Sequence, residues 1–309
     1  MNNDTNDKVL ILLSLYNGEK YIEEQLNSLF SQTVPVYILA RDDGSTDHTI
    51  EIVEKYTKEN NNIKLIKGEN LGFVKSFNTL LMEEECDNYH WIAFCDQDDV
   101  WLPEKLEMAL NHLGPYQGDD APVMYCSNLN LVDENLSHMG KMHKKQDRVI
   151  KSCIYVQNIA TGCTMVFNHK AVKVYRKGID ISMIAHDYMM HCVCKYLGKV
   201  IYDSNSYILY RQHTQNVIGA DHMTYKKGIG NIIEDLRNPK QELRVKFFKD
   251  FIEAYDAMLS HYEILFLGRF VNYKSLKNRI YILLNPMISG YEFKATLAFK
   301  MRILFGRMY

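Results

Sequence analysis

Acidic side chains follow three of the predicted β-strands, at the point where each strand ends. The first strand is followed by SLYNGE, the second by RDDGSTD and the fourth by DQDD. In open α/β sheets, ligands bind beyond the carboxyl ends of the strands. Carboxylates packed this densely repel one another and lose solvation, unless a cation or several hydrogen-bond donors offset the cost. The sequence therefore predicts a polar ligand site at this edge of the sheet.

Asp96 and Asp98 have the spacing of two residues that act on one ligand. They occupy alternate positions of an extended segment, so both side chains can point to the same side. They can share one hard cation or divide a sugar nucleotide between them. Carboxylate ligands suit Mg²⁺ or Mn²⁺ better than Zn²⁺. An EF-hand is disfavoured, because Trp101 stands where that loop requires glycine.

The common glycine-rich phosphate cradles are missing from the sequence. Neither G-x-G-x-x-G nor G-x-x-x-x-G-K-[ST] occurs, so the dinucleotide-binding and P-loop classes both lack their signature. Phosphates would then have to be held through a metal, which favours the metal interpretation of Asp96 and Asp98. For the second cluster an alternative stays open, since Asp-Asp-Gly-Ser is also a common turn and cap sequence.

The elements that must position these acids alternate between strand and helix. Strands are predicted over residues 9–15, 36–40, 63–66 and 91–95, and helices over residues 21–32 and 74–85, with a further helix capped by Asp47. This alternation predicts βαβ units, a doubly wound α/β fold and a mostly parallel, Rossmann-like sheet with helices on both faces.

The second half of the chain alternates less regularly. Strands are predicted over residues 124–133 and 164–168, a helix over 185–196, one or two strands over 200–210 and a basic loop over 141–148. After Gly219 the sequence becomes mostly helical, with candidate helices over residues 232–237 and 242–266. With a length of 309 residues, we expect about two parts, an α/β part over 1–220 and a helical C-terminal region over 221–309.

Composition and charge limit the class of protein. The chain is 47% hydrophobic and 24% charged, which excludes disordered and collagen-like classes. Its seven cysteines are odd in number and form no C-x-x-C pair, so a reducing cytoplasm fits best. The N-terminus lacks a signal-peptide pattern, and no apolar run is long enough to span a membrane.

The C-terminal tail, residues 269–309, is strongly basic. It carries eight Lys or Arg against one acid, a charge of +7, so with a total of −2 the remainder carries −9. Nucleic acid is disfavoured as a partner, because no binding motif accompanies the charge and the acidic remainder would repel a polyanion. An anionic membrane surface fits better. A helical bundle packed on the rest of the chain remains the alternative.

Seven segments, taken in order, resemble the inverting glycosyltransferases of family 2. They are SLYNGEKYIEEQLNSLFSQT, RDDGSTDHT, ENLGFVKSFN, FCDQDDVW, TGCTMVF, HDYMM and YRQHTQNVIG, over roughly residues 8–220. The resemblance implies the glycosyltransferase type A fold, with a nucleotide-sugar half over about 1–100 and an acceptor half over about 101–220. The forms DQDDVW and YRQHxxNxxG are most similar to bacterial rhamnosyltransferases, which build cell-wall and surface polysaccharides from dTDP-rhamnose.

The resemblance also implies roles for residues around the nucleotide. Tyr16, Glu19 and Asp42 match positions that line the base and ribose pocket. Asp96 matches the acid that faces the ribose and Asp98 the acid that faces the metal. Lys75 matches a position where relatives have a basic residue near the nucleotide. The alternative is that Lys75 is only a solvent-exposed charged residue on a helix. Asp99 is an extra acid of this branch, or a helix cap.

The expected catalytic base lies further along the chain. Asp187 matches the acid of the family's Glu-Asp pair, here with His186 in place of Glu; without the resemblance, an Asp in the first turn of a helix is usually a cap. His213 completes the metal or diphosphate site, or is an ordinary loop histidine. Arg211 is a candidate phosphate ligand. A zinc protease site is excluded, because His186 and His191 are five positions from each other.

The function that the resemblance implies is metal-dependent, inverting sugar transfer. The donor would be a nucleotide-diphosphate sugar and the acceptor a lipid-linked saccharide. The protein would be cytoplasmic and peripheral on the inner face of the cell membrane, and homo-oligomerisation stays open. Two other classes compete. A non-catalytic saccharide or nucleotide-binding module is disfavoured by the presence of Asp98 and Asp187. A nucleotidyltransferase would need a basic, glycine-rich loop where Tyr16 to Glu19 stand.

Overall fold

The computed structural model describes residues 8–144, 153–181, 185–213 and 243–306. The chain divides into two compact units. The first unit comprises residues 1–142, 160–176 and 185–213, and the second comprises residues 143–159, 177–184 and 214–309. The predicted boundary at residue 220 and the predicted helix over 232–237 lie outside the described residues.

Among the described residues, nine strands form one sheet at the centre of the first unit. Its strands are β1 (Val9–Leu15), β2 (Val36–Asp42), β3 (Ile63–Lys67), β4 (Trp91–Cys95), β5 (Val100–Trp101), β6 (Val123–Val132), β7 (His138–Lys141), β8 (Val166–Asn168) and β9 (Lys199–Arg211). The spatial order is β3-β2-β1-β4-β8-β6-β9-β5, with β7 paired to β6. The four strands from β3 to β4 are parallel, whereas β8, β5 and β7 pair antiparallel to their neighbours.

Helices cover this sheet. They are α1 (Ile22–Phe30), α2 (Thr49–Glu59), α3 (Phe73–Met82), α4 (Lys105–Leu113), α5 (His169–Lys177) and α6 (His186–Leu197). The five residues from Val9 to Leu13 are fully buried, as expected for a central parallel strand with both faces covered. Ile22, Leu26 and Leu29 are also fully buried on one side of α1. The predicted α/β fold with parallel βαβ units is confirmed.

The second unit is mainly helical in its described part. Its helices are α7 (Leu243–Tyr255), α8 (His261–Val271), α9 (Leu276–Leu284) and α10 (Phe293–Leu304). In its core the Tyr155 ring stacks on Phe248 and Phe270, with ring centroids 3.8 and 3.6 Å from that of Tyr155. Arg244 donates a hydrogen bond of 2.6 Å to the Tyr155 carbonyl. No helix in the described ranges combines the length and apolarity needed to cross a bilayer.

Two predicted elements differ in the structure. The prediction of a single helix over residues 242–266 is wrong, because α7 ends at Tyr255 and a second helix, α8, follows. Ser260 caps the start of α8 in a reciprocal capping box with Glu263. The loop expected over 141–148 begins later than predicted, since Lys141 still pairs with Asn130 of β6; residues 145–148 lie outside the described part. The helices α4 and α5 were not predicted.

Candidate active site

The predicted acidic edge forms where β1, β2 and β4 end side by side. In the parallel register Leu15 pairs with Asp42, and Leu13 pairs with Cys95. The segments that begin at Tyr16, Asp43 and Asp96 therefore leave the sheet next to one another. The site can be built from these three loops, together with the end of β9 and the start of α6.

An amide side chain fastens the loop after β1 to the loop after β4. The Tyr16 backbone N–H donates to Gln97 Oε1 at 2.8 Å, and Gln97 Nε2 donates back to the Tyr16 carbonyl at 2.8 Å. A Cβ added at Gly18 would come within 2.4 Å of the same amide, so a larger residue at this position would displace the Gln97 side chain. Tyr16 remains 46% exposed, so its side chain is accessible to a ligand.

Asp42 closes the turn after β2 and retains an unused oxygen. Its Oδ2 accepts hydrogen bonds from the backbone N–H groups of Gly44 and Ser45, at 3.0 and 2.9 Å. Its Oδ1 is buried and has no hydrogen-bond partner among the described residues. Gly44 has a φ of +80°, a conformation that favours glycine. The turn interpretation of this cluster is therefore correct, and it leaves one acceptor atom for a ligand.

Asp43 has a structural role beside this turn. It forms a buried ion pair with Arg41 and accepts hydrogen bonds from the backbone N–H groups of Leu71 and Gly72 at 2.9 and 2.8 Å. These contacts fix the segment that leads into α3. Because all of them are internal, Asp43 is a positioning residue for the loop that carries Asp42.

Two predicted nucleotide residues lie at the exposed rim. The Glu19 carboxylate accepts from the His48 backbone N–H at 3.0 Å and contacts His48 Nδ1 at 2.8 Å. These hydrogen bonds lower the pKa of Glu19, and they direct its carboxylate to α2. Lys75 is exposed on α3, and its ammonium forms no ion pair within the described ranges.

Three acids follow β4 in a concentrated, partly buried group. Asp96 and Asp98 are half-buried, and Asp99 is fully buried. Burial, and then the charges of Asp98 and Asp187, raise the pKa of Asp96. Burial, and then the charges of Asp98 and Asp96, raise the pKa of Asp99. The raised pKa values of Asp96 and Asp99 mean that the described residues do not supply enough hydrogen-bond donors or positive charge to stabilise both carboxylates in their charged form.

A buried thiol and a buried amine complete this group. One oxygen each from Asp96 and Asp99 and the Cys163 sulfur lie within 4.8 Å of one another. Asp99 Oδ2 and Lys105 Nζ have no hydrogen-bond partner in the described part of the chain. Burial lowers the pKa of Lys105 to about 7 and raises that of Cys163 well above its usual value.

The end of β9 holds Asp98 from the other side. His213 Nε2 lies 2.7 Å from Asp98 Oδ2, and the His213 ring stacks on Tyr21 at a centroid distance of 5.0 Å. The rest of the YRQHTQNVIG segment, residues 214–219, lies outside the described residues. The two predicted metal ligands, Asp98 and His213, are thus adjacent.

Arg211 points into the protein. Its Nε donates to the Asp98 carbonyl at 2.9 Å and its Nη1 to the Glu134 carbonyl at 2.6 Å, and its Nη2 pairs with Glu24. Its backbone N–H also donates to Asp99 Oδ1 at 3.2 Å. With its side chain only 2% exposed, Arg211 acts geometrically as a clamp on the loop of Asp98. A direct phosphate contact by Arg211 stays a prediction that this geometry does not favour.

Asp187 is the second residue of α6, and its charge acts on Asp96, the first of the acids after β4. Its Oδ1 accepts from the Tyr188 backbone N–H at 2.6 Å. Burial raises the pKa of Asp187 to about 6, against the opposing effect of backbone N–H donors that include Gly162. The charge of Asp187 in turn contributes to the raised pKa of Asp96. A carboxylate with a pKa near the working pH is suited to proton transfer.

His186 is buried directly beside Asp187. Its ring stacks on Phe77 at 3.9 Å between centroids and meets Phe94 edge-on at 4.8 Å. Neither ring nitrogen has a hydrogen-bond partner among the described residues, and burial lowers its pKa to about 3. His186 is therefore a neutral packing residue that fixes the start of α6.

The donor set of this site fits a hard divalent cation. Asp98 and His213 converge, and the unused Asp99 Oδ2 and the raised pKa of Asp96 both indicate excess negative charge. Carboxylate oxygens with one imidazole are ligands that Mn²⁺ and Mg²⁺ accept. Sequence reasoning did not single out Gln97, Lys105 or Cys163. Gln97 and Cys163 act through contacts with residues more than sixty positions away, and Lys105 lies on the Trp101 ring in a burial that no local pattern reveals.

A sheet whose first four strands are parallel, with acids after three of them, continued by mixed strands and α6, has the architecture of the glycosyltransferase type A fold. A sequence model described as Glycosyl transferase family 2 matches residues 10–177. The chain belongs to this family, and the prediction of a family 2 glycosyltransferase with the type A fold is confirmed.

Individual relatives agree with this assignment. The chain is 28% identical over 222 residues to the dTDP-rhamnosyl transferase RfbG of Shigella flexneri, covering 68% of this chain and 74% of that one. It is 34% identical over 120 residues to the putative glycosyltransferase EpsH of Bacillus subtilis, covering 38% and 33%. Among solved structures, Staphylococcus aureus TarS 1-349 in complex with UDP superposes with a TM-score of 0.56 at 19% identity, covering 88% of each chain.

Proposed function

We propose that this chain is a metal-dependent inverting glycosyltransferase that moves L-rhamnose from dTDP-rhamnose to a hydroxyl of a growing, lipid-linked cell-surface polysaccharide. The observation that carries the proposal is the Asp187 carboxylate, with a pKa raised to about 6, facing the acids after β4. A single displacement needs a base on one face of the donor sugar and a stabilised leaving group on the other. The proposed site offers both.

The donor would be held by residues from all three strand-end loops. The free Oδ1 of Asp42 is an acceptor for the N–H of a pyrimidine base, and the exposed Tyr16 ring offers a stacking surface. Asp96 would accept from the ribose hydroxyls. Lys75, exposed on α3, would add positive charge at the rim, and Glu19 supports the loop by its hydrogen bond from His48.

Asp98 and His213 would hold the Mg²⁺ or Mn²⁺ ion. When bound, the ion neutralises charge on the departing diphosphate. Arg211 keeps Asp98 in place through its carbonyl. Asp187 would accept the proton from the acceptor hydroxyl as that oxygen attacks the anomeric carbon. The acceptor's lipid would lie at the inner face of the membrane.

Rhamnose is favoured as the sugar by similarity to RfbG over 222 residues, about two thirds of this chain. A second candidate is a UDP-hexose or UDP-N-acetylhexosamine donor. It is favoured by the structural likeness to TarS 1-349 in complex with UDP-GlcNAc, with a TM-score of 0.52 at 20% identity. A binding module without catalysis is the weakest alternative, because the chain retains both Asp187, the proposed base, and Asp98, a proposed metal ligand.

The test is release of nucleoside diphosphate from a panel of nucleotide sugars, measured with and without a rhamnose-accepting saccharide lipid. We expect turnover with dTDP-rhamnose that stops in excess chelator and returns with Mn²⁺ or Mg²⁺. Asp98→Asn should abolish it, whereas the control Asp119→Asn, at an exposed position, should not. Turnover with a UDP-sugar instead of dTDP-rhamnose would contradict the proposed donor. Full activity in excess chelator would contradict the proposed metal dependence.

A further inference from the structure

Helix α9 carries an exposed apolar stripe. Leu276, Ile280 and Leu284 are spaced by four residues and are 71%, 48% and 77% exposed. This spacing puts them on one face of the helix. Ile282, on the opposite face, is fully buried. The stripe is therefore separate from the face that packs into the second unit.

Helix α10 repeats the arrangement. Its exposed apolar residues are Phe293, Leu297, Met301 and Leu304, at 70%, 51%, 40% and 51% exposure. Its buried residues, Ala295, Phe299 and Ile303, occupy the other side of the helix. Both helices thus have an inner apolar face that is buried and an outer apolar face that is exposed.

The two stripes lie on neighbouring, antiparallel helices. Lys300 Nζ of α10 donates to the carbonyl of Asn285, directly after Leu284, at 3.4 Å. At the opposite end, the Tyr273 hydroxyl donates to the Gly306 carbonyl at 3.2 Å. The exposed side chains of Met287 and Phe305, at 71% and 60%, extend the apolar surface at both ends.

Cations border these stripes. On α9 the exposed Lys277 is adjacent to the stripe, and on α10 the exposed Lys294 is adjacent to the stripe of that helix. Glu292 is the one acid in residues 269–309, against eight Lys or Arg. An exposed apolar stripe with basic borders is the pattern of a helix that lies in a membrane interface.

We propose that the α9–α10 surface, the outer face formed by these two stripes and their basic borders, docks on an anionic lipid bilayer. Charge decides between the possible occupants. A second copy of the chain meeting this face symmetrically would bring two basic surfaces together, whereas anionic headgroups neutralise the lysines and the acyl region accepts Leu284, Leu297 and Phe293. The inference deepens the proposed function and rests on it for the location of the acceptor.

The test is flotation of the full chain with vesicles of phosphatidylcholine alone or mixed with phosphatidylglycerol, without donor or acceptor. We expect binding only to the mixed vesicles, weakening with salt. Leu284→Glu combined with Leu297→Glu should lower the partition coefficient by about tenfold or more, since both side chains would face the acyl region. The matched control is Met82→Glu with Met139→Glu, two residues of the first unit with 53% and 62% exposure.

The basic border is tested separately. Lys277→Gln with Lys294→Gln should weaken binding to the mixed vesicles by about tenfold, since each cation near such a surface contributes to the attraction. Lys55→Gln with Lys58→Gln, exposed on α2, should change it little. Unaltered melting temperatures would show that the exposed substitutions leave the fold intact.

Several results would overturn the proposal. They are equal binding to both vesicle types, no binding at all, equal loss in the control pairs, or self-association in light scattering that the Leu284→Glu pair abolishes. Nucleoside diphosphate release with a soluble acceptor analogue separates this proposal from the proposed function. Vesicle binding without sugar transfer would refute the function alone, and transfer without vesicle binding would refute the docking alone.

Discussion

Asp187 is the residue on which the proposed chemistry depends most directly. Replacing it with Asn preserves the shape and removes the proton acceptor, so we expect turnover to fall by about 10² to 10⁴ with little change in donor KM. Because burial raises its pKa to about 6, wild-type turnover at saturating donor should decline as the pH falls below that value. Steady-state kinetics across pH 5 to 8 checks both expectations.

The matched control for Asp187→Asn is Asp119→Asn. This substitution removes an exposed carboxylate that is not part of the candidate site, so kcat should not change. If Asp187→Asn instead raised the donor KM and kept kcat, Asp187 would be a donor-binding residue. The base would then have to be sought among other groups that face the acids after β4.

Lys105 carries a destabilising charge in the first unit. It is fully buried, its ammonium lies 3.4 Å from the Trp101 ring centroid, and burial lowers its pKa from 10.5 to about 7. Replacing a buried ionic group with an apolar one of similar volume often stabilises a protein by about 1–4 kcal/mol. We therefore expect Lys105→Met to raise the free energy of unfolding at pH 6, measured by urea denaturation.

The stabilisation by Lys105→Met should shrink as the pH rises. Between pH 7 and 10.5 the folded wild-type chain binds fewer protons at Lys105 than the unfolded chain does, so wild-type stability rises with pH in this window. The variant has no such group and loses its advantage there. A variant less stable than wild type at every pH would mean that the amine stabilises Asp99 in the folded state.

At the scale of elements, the sequence predicted β1 and β4 with their observed limits, and it predicted the strands and helices between them to within a few residues. These elements have buried apolar runs or helical spacing that act locally. By contrast, α5 begins with His-Lys and has a polar composition, and the short β5 exists only because Val100 and Trp101 pair with Leu209 and Ile208. Local patterns cannot reveal a strand whose partner lies over a hundred positions away.

Gln97 joins two of these elements. Its two hydrogen bonds with the Tyr16 backbone hold the β1 loop against the β4 loop, where the nucleotide is expected to bind. Gln97→Ala removes both, and at about 0.5–1.5 kcal/mol for each bond we expect the donor KM to rise by about five- to tenfold or more. The kcat should change less, since Asp187 is untouched.

A KM-against-kcat comparison with Gln117→Ala, an exposed glutamine between α4 and β6, provides the control for Gln97. Equal donor KM values in wild type and Gln97→Ala would show that the loop holds its position without the amide. A fall in kcat alone would place the effect of Gln97 on the chemical step.

At the scale of the whole molecule, the candidate site assembles from residues between Tyr16 and His213. The sequence predicted its acids because each stands at a strand end, and the resemblance supplied Asp187 and His213. It could not predict that Arg211 would turn inward to Glu24, or that Cys163 would reach Asp99, because such contacts follow from how the strands are ordered. The direction of a long side chain is decided by tertiary partners.

Uncompensated charge at this site should make the stability of the whole chain depend on its ligands. A ligand that binds only the folded state stabilises it by about 2.7 kcal/mol at a hundred times its Kd. We expect Mn²⁺ and dTDP together to raise the melting temperature by more than the sum of their separate effects, because the ion relieves repulsion among Asp96, Asp98 and Asp99 and attracts the diphosphate. By linkage, each ligand should strengthen the affinity of the other by the same factor.

Asp98→Asn should remove this coupling in calorimetry and thermal melts, while Asp119→Asn keeps it. A full dTDP shift in the presence of chelator would mean that the diphosphate is bound by protein groups alone, and the acids after β4 would then need another explanation.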